Sequence, residues 1–291
     1  DGKWVVYIRG GDFGSNWDDE LPVNPTFEIS PPKVQIWSFP FDGESPVLID
    51  EGMNPVISPD SDKIVYVKND QLWVSSIDGT KKPVKLFHSR GRNGSQVWSH
   101  DGKMVAFVSN RGDRSFIGLY SFESKNLRWL DPSFDRDFSP RWSNDNSEIV
   151  FIRRPGGAGK PSDILGARHV PWKIVKVNIN SLDVKELWEA PKTLRGSLPR
   201  THGGTNLHWA HNRIVFLSYQ DGWPHLYSIP ENGGDELLLT PGEFMCEYIK
   251  LSPDKKSLVF TANTGKDKLD IDRRHISVSY THLTLPTTSC V

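Results

Sequence analysis

Cysteine is almost missing from this chain: Cys246 and Cys290 are the only two in 291 residues. Cys290 lies in a C-terminal stretch set apart below, so Cys246 stands alone, no internal disulfide forms, and the redox compartment stays open. A charge of one sign is missing too. Thirty-five Lys and Arg against 36 Asp and Glu give a net charge of -1, which leaves no basic field to hold nucleic acid or an anionic membrane. No uninterrupted apolar run approaches the roughly 20 residues that a membrane helix needs. The 3.6-residue period of amphipathic helices is hardly visible anywhere. What the chain does hold is 11 Trp, 24 Gly and 21 Pro, a content that favours many short strands and turns.

The stretch Gln96 to Phe122 reads as a repeating unit. A strand ends at Trp98-Ser99, the turn His100-Asp101-Gly102-Lys103 reverses it, and Met104 to Val108 forms a second strand. Asn110-Arg111-Gly112-Asp113 supplies turn chemistry, a third strand follows over Ile117 to Phe122, and a fourth over Arg128-Trp129-Leu130. Six such units align on the aromatic of the second strand, at Tyr7, Tyr66, Phe107, Phe151, Phe216 and Phe260, with spacings of 59, 41, 44, 65 and 44. Most carry a Ser, Pro, Asp, Asn, Gly or Lys turn just before that strand, as in Ser58-Pro59-Asp60 and Ser252-Pro253-Asp254; Ala210-His211-Asn212-Arg213 is a shortened version.

The second strands are apolar on both faces, for example Ile64-Val65-Tyr66-Val67, Ile149-Val150-Phe151-Ile152 and Ile214-Val215-Phe216-Leu217. A sheet with one wet side would alternate, so these strands are expected between two neighbouring sheets. Four short strands per unit at a period near forty residues are the sequence form of a β-propeller blade. The expected fold is therefore all-β, a β-propeller of four-stranded blades with about six units present, and seven or eight are both compatible with the intact protein. Long insertions interrupt the units at 12–33, 153–171 and 189–206, and loops of that length in a compact domain are often functional.

Two ends stand out. Asp1-Gly2-Lys3-Trp4 is neither Met-led nor signal-like, and the chain is expected to start inside a repeat. Val278 to Thr287 is similar to the one-frame translation of a common transposase sequencing-library adapter. Residues 1–276 are thus expected to be propeller, and 277–291 a non-native tail.

Arg111-Gly112-Asp113 falls at a hairpin position and reads as a turn. Gly156-Gly157-Ala158-Gly159-Lys160-Pro161-Ser162 lacks the phosphate-loop spacing and has Pro161 where a helix should begin, so it reads as a flexible loop. Asn93-Gly94-Ser95 is a formal glycosylation acceptor of the kind that arises by chance. Thr201 to Trp209 gathers His202 and His208 with paired glycines before a strand, and Trp223 and His225 follow one hairpin later. Metal-ligand spacing is not clear among them, so no metal and no cofactor is expected; packed turns and a substrate-facing surface both remain open. Asp18-Asp19-Glu20 is either a solvated acidic loop or a carboxylate cluster that meets an ammonium group. No Gly-x-Ser-x-Gly elbow occurs anywhere in the chain, so a nucleophile of that type is lacking.

Laid out this way, the chain resembles the non-catalytic propeller of the prolyl oligopeptidase family of serine peptidases, in its dipeptidyl and acylaminoacyl peptidase-like branch. The strings that carry the resemblance are Asp221-Gly222-Trp223-Pro224-His225-Leu226-Tyr227-Ser228 with Leu239-Thr240-Pro241-Gly242, then Thr201 to Asn206, Trp4 to Asp12, and Asp270 to His275. It implies a propeller that admits and orients short peptides for an α/β-hydrolase domain whose Ser-Asp-His triad is not in this chain. The implied partners are a peptide substrate and that hydrolase domain, with no nucleic acid and no membrane segment in this piece. The dipeptidyl branch clamps a free amino terminus with paired glutamates. This chain has no Glu-Glu pair, and Asp18, Asp19 and Glu20 are the stand-in, with His202 and Trp223 as further substrate-facing residues. The resemblance leans towards a periplasmic setting, with secreted and cytoplasmic settings open. TolB-like propellers, which bind protein partners in an envelope and do no chemistry, share the hairpin signature and are the alternative.

Overall fold

The computed structural model describes residues 2–10, 33–43, 45–157, 168–264, 272–281 and 288–289. It divides into two compact units, Asp1–Gly112 with Phe116–Trp129, and Asp113–Ser115 with Leu130–Val291. Every described regular element is a strand.

In the first unit, β1 (Trp4–Arg9), β2 (Gln35–Pro40) and β3 (Val47–Glu51) form one antiparallel sheet. A second contains β4 (Met53–Ile57), β5 (Lys63–Lys68), β6 (Gln71–Ser76) and β7 (Val84–Lys85) in chain order. Then come β8 (Arg92–Trp98), β9 (Met104–Asn110), β10 (Ser115–Ser121) and β11 (Leu127–Leu130), with β11 on β10. The second unit repeats the pattern three times. Its first group is β12 (Arg136–Trp142), β13 (Glu148–Arg154), β14 (Lys173–Asn178) and β15 (Val184–Glu189). The next is β16 (His208–Trp209), β17 (Arg213–Ser218), β18 (His225–Pro230) and β19 (Leu237–Leu238), and the last is β20 (Cys246–Leu251), β21 (Ser257–Ala262), β22 (His275–Tyr280) and β23 (Thr288–Ser289).

The doubly apolar strands do what their composition demands. In the first unit Ile64 and Tyr66 of β5 pack with Ile36 and Ile49, while Val65 and Val67 face Trp98, Val105 and Phe107. In the second unit Val150 and Ile152 share a core with Ile214 and Phe216, and Val215 and Leu217 share another with Cys246, Leu258 and Phe260. A second strand is thus covered on both sides by neighbouring sheets. Fully burying one such side chain contributes about 1.5–3 kcal/mol.

The turn between first and second strands is a recurring device. At Ser99, Ser143 and Ser252 the hydroxyl donates to the Asp two residues on, at 2.6, 2.6 and 2.5 Å, and accepts the N–H five residues on at 2.9 Å each. The Asp in turn accepts the following backbone N–H groups of Lys103, Ser147 and Lys256. The residue three after each Ser takes a positive φ: Gly102 69°, Asn146 62°, Lys255 60°. The Ser-x-Asp signature is therefore a backbone-satisfying loop that reverses the chain in three residues.

The first strands hold a second recurring device. The ladders of β4, β8, β12 and β20 shift register by a bulge, at a residue of positive φ: Asn54 52°, Ser95 51°, Ser139 55°, Tyr248 53°. Sequence periodicity gave no sign of these bulges.

β22 runs through Ser277 to Tyr280, and β23 pairs with it over Ser277↔Ser289 and Val278↔Thr288, so part of the stretch set apart as a tail completes the last sheet. Asp18, Asp19, Glu20 and Cys290 lie outside the described residues, as do residues 158–162 of the glycine-rich loop.

Candidate functional site

Within each sheet of the second unit, one end carries the Ser-x-Asp or shortened turn and the other carries the longer connections. The described parts of connection 155–172, at 155–157 and 168–172, and connections 190–207, 219–224 and 239–245 emerge at this second end, because β13, β15, β17 and β19 all finish there. Backbone and side-chain hydrogen bonds stitch them together. Leu198 N donates to Val170 O at 2.9 Å, Trp172 Nε1 to Gly196 O at 3.2 Å, and the Tyr219 hydroxyl accepts the N–H groups of Arg200 and Thr201 at 2.8 and 2.9 Å. Cys246 N closes the series on Pro224 O at 2.8 Å.

His202 and Trp223 sit on two of these connections. The Thr201 to Asn206 turn needs its glycines, since Gly203 and Gly204 take φ of 77° and 60°, and a Cβ on Gly203 would fall 2.3 Å from Asn206 Oδ1. That turn leaves the exposed His202 ring stacked on Tyr248, 4.1 Å between centroids at 35°. Trp223 is 39% exposed, on a turn closed by Gly222 N to Tyr219 O at 2.8 Å, with the Arg195 guanidinium against Gly222. Both residues are therefore solvent-facing at the loop end, on separate turns.

Beneath Trp223, Asp221 Oδ2 meets His225 Nδ1 at 2.6 Å. The His225 ring is fully buried against Phe244, 5.2 Å away, and its Nε2 has no hydrogen-bond partner. The pair fixes the turn and has no hydroxyl nucleophile hydrogen-bonded to Nε2. Cys246 nearby is buried, and burial pushes its thiol up to about 12 against the opposing Thr240 hydroxyl, so it is unreactive at neutral pH.

Beside these turns lies a cleft of about 180 Å³ lined by Asp135, Arg154, Pro155, Pro171, Lys173 and Glu189 among others. Burial, then the neighbouring Arg136 and Arg200 charges, hold the Arg154 guanidinium below its ordinary value. Its floor is a buried ion network: Arg153 forks onto Asp137 with two bonds of 2.7 Å and reaches Asp131 Oδ2 at 2.6 Å. Burial raises the Asp137 carboxyl to about 6 even with that guanidinium in place. A cleft with charges of both signs at its rim suits a polar, zwitterionic guest. Among the described residues no group of three or more His, Cys, Asp or Glu is placed to hold a metal ion.

Two motifs resolve structurally. Gly112 takes a φ of 91° between β9 and β10, and its N–H donates to Asn110 Oδ1 at 3.0 Å, as a turn does. Asn93 is 2% exposed on β8 with its amide on Asp70 O and Gly91 O, so it offers nothing to a glycan. Sequence reading missed the Arg153–Asp137 and Asp221–His225 pairs; the only written signals are a charge inside an apolar strand and an Asp-x-x-x-His spacing across a turn.

Residues 173–288 match the family model described as the dipeptidyl peptidase IV (DPP IV) N-terminal region. Dipeptidyl peptidase 4 of Arthroderma otae is 23% identical over 274 residues, 77% of this chain and 35% of the relative. The chain thus spans about a third of the length of the curated relatives it matches. Among solved structures, dipeptidyl peptidase 4 of Porphyromonas gingivalis superposes with a TM-score of 0.55 at 14% identity, over 86% of this chain and 41% of that one. An oligogalacturonate lyase in complex with manganese gives 0.62 at 12%, covering 99% and 73%, and TolB of Acinetobacter baumannii gives 0.50 at 13%, covering 88% and 65%. At such identities the structures show the fold alone, all-β and propeller-like. With the family match over residues 173–288 and the dipeptidyl peptidase relatives added to the repeats, the chain is similar to the N-terminal propeller region of dipeptidyl peptidases of the prolyl oligopeptidase family.

Proposed function

We propose that this chain is the substrate-gating and substrate-orienting propeller of a serine peptidase, itself without catalytic residues, acting on short peptides together with an α/β-hydrolase domain. The match of residues 173–288 to a dipeptidyl peptidase N-terminal region carries the reading. Supporting it, the matched segment supplies the turns on which His202 and Trp223 are exposed, together with Lys173 and Glu189 of the charged cleft. In this scheme Trp223 and the His202–Tyr248 stack offer aromatic faces to a peptide backbone, and Asp18, Asp19 and Glu20 are the carboxylates for its amino terminus. The hydrolase domain supplies the nucleophile.

Three tests bear on this. Fluorophosphonate labelling of the 291-residue chain should give no adduct, and a labelled Ser would contradict the division of labour. In the uninterrupted reading frame, a Gly-x-Ser-x-Gly elbow followed by Asp and His is expected; a stop soon after His275 would support the TolB-like scaffold instead. With the whole enzyme, Trp223→Ala should raise KM several-fold for a Gly-Pro anilide and leave fluorophosphonate labelling of the Ser intact.

A further inference from the structure

The residue that follows the bulge in a first strand takes a fixed place, opposite the residue before the second-strand aromatic. In the first unit these residues are Val56 opposite Val65 and Val97 opposite Ala106. In the second unit they are Arg141 opposite Val150 and Lys250 opposite Val259. β16 sets His208 opposite Val215 in the same place. The first strands of three successive four-stranded groups in the second unit therefore present a basic residue at one level, where the first unit places valine.

The three are not neutralised. Arg141 Nε donates to Leu207 O and Nη1 to Pro140 O, both at 2.8 Å, and both acceptors are uncharged carbonyls. Among the described residues neither Arg141 nor Lys250 forms an ion pair with a carboxylate. His208 lies beside Arg141, since Leu207, whose carbonyl receives Arg141, is its chain neighbour. Its Nε2 is buried and has no hydrogen-bond partner. Burial, then the charges of Arg141 and Lys250, push its imidazole down to about 4, so both cations are close enough to be felt. Burial likewise lowers Arg141. A partly buried cation such as Arg141, with spare donors and no counter-charge, is costly unless something anionic completes it, and a guanidinium beside an imidazole and an ammonium matches the forked oxygens of a carboxylate.

We propose that Arg141, His208 and Lys250 form a carboxylate-binding site on the first strands β12, β16 and β20, taking the C-terminal carboxylate of a short peptide. The basic site stands on the strand register and the unpaired donors. Only the identity of the guest as a peptide rests on the reading above. Arg141 supplies the donors not used on Leu207 and Pro140, His208 Nε2 donates once protonated, and Lys250 adds a mobile charge at the rim.

The test uses the full 291-residue chain at low salt, with imidazole NMR to follow His208, identified by loss of its signals in His208→Gln. The probes are acetyl-Ala-Pro-Ala, its C-terminal amide, and inorganic phosphate. The acid should shift the His208 ring signals and raise its titration midpoint, the amide should bind at least about tenfold more weakly, and Lys250→Met should weaken the acid by about tenfold. Lys250 is exposed, so this variant spares the fold where Arg141→Met could disturb it. Equal binding of acid and amide, or no loss with Lys250→Met, overturns the site. Phosphate shifting His208 while the peptide acid does not overturns the peptide carboxylate as guest. None of these outcomes involves peptide hydrolysis, so failure of the peptidase reading, seen in the downstream frame, is separable from failure of the site.

Discussion

Arg153 and Asp137 are both buried, and each has a reason to be costly alone. The guanidinium spans β13, β12 and the turn at Asp131, donating to two carboxylates and the Asp131 carbonyl. Removing one partner of such a buried pair costs about 3–5 kcal/mol, whereas replacing both by apolar groups of similar volume can be neutral. Arg153→Met should therefore destabilise by that amount in urea unfolding, and Arg153→Met with Asp137→Leu should recover most of it. A double variant as unstable as the sum of the singles would mean that the two side chains act independently. Asp145 poses the opposite case, an exposed carboxylate. The Ser143 hydroxyl, then the Ser147 N–H and hydroxyl, hold it down to about 2. A depressed carboxyl stabilises the fold above its unfolded value and loses that contribution as pH falls through the folded one. Asp145→Ala should cost about 1 kcal/mol at neutral pH, and the deficit should shrink as pH is lowered from about 4 toward 2. A deficit that stays constant across that window would show that the turn does not depend on the ionised form.

At the level of strands, the sequence was most legible where one residue type had one job. The second strands, their flanking Ser-x-Asp turns and most third strands were readable because a tetrapeptide with apolar residues on both faces has few other uses, and the structure places β5, β9, β13, β17 and β21 each between two strands of its sheet. The bulged first strands were not readable: a bulge is set by one positive φ, and Asn54, Ser95, Ser139 and Tyr248 share no residue type. For the same reason the row Arg141, His208, Lys250 is invisible in the sequence, since its members are brought together only by equivalent registers in three sheets. The candidate loops fared between the two. The Gly203 and Gly222 turns are written as glycine signatures, but the stitching of their connections is tertiary. Strand β22 shows the mismatch that a register can expose. Opposite the second-strand aromatic stand Trp37, Trp73, Val175 and Tyr227 in four sheets, and Ser277 in the last. Its hydroxyl is buried with no partner. Ser277→Val should remove an unsatisfied polar group and add apolar burial, stabilising by about 1–2 kcal/mol. Denaturant unfolding would check it, and a loss of stability would mean that the hydroxyl is satisfied after all.

On the scale of the whole chain, the apolar surface is unevenly covered. The sheet of β16 to β19 has a core on each face, but the sheet of β20 to β23 turns Leu258 and Phe260 into a core with β17 and β18 and shows the other face to solvent. On that face Val259 is 40% and Ile276 58% exposed. They stand on adjacent strands, Val259 paired with Val278 and Ile276 with Thr261, so the exposure is one patch. Contiguous apolar surface of this kind on a folded chain drives association. The 291-residue chain should therefore self-associate with rising concentration in sedimentation velocity. Replacing Val259 and Ile276 together by Lys should shift it towards monomer without loss of folded signal, because both side chains point away from the core and Lys stems tolerate a half-covered face. The wild-type chain staying monomeric across the accessible concentration range would mean that this face is too small or too well hydrated to hold a second surface. Association that persists unchanged in the double Lys variant would move the contact elsewhere, and the fully open side chain of Phe134, 81% exposed between β11 and β12, would then be the next to substitute.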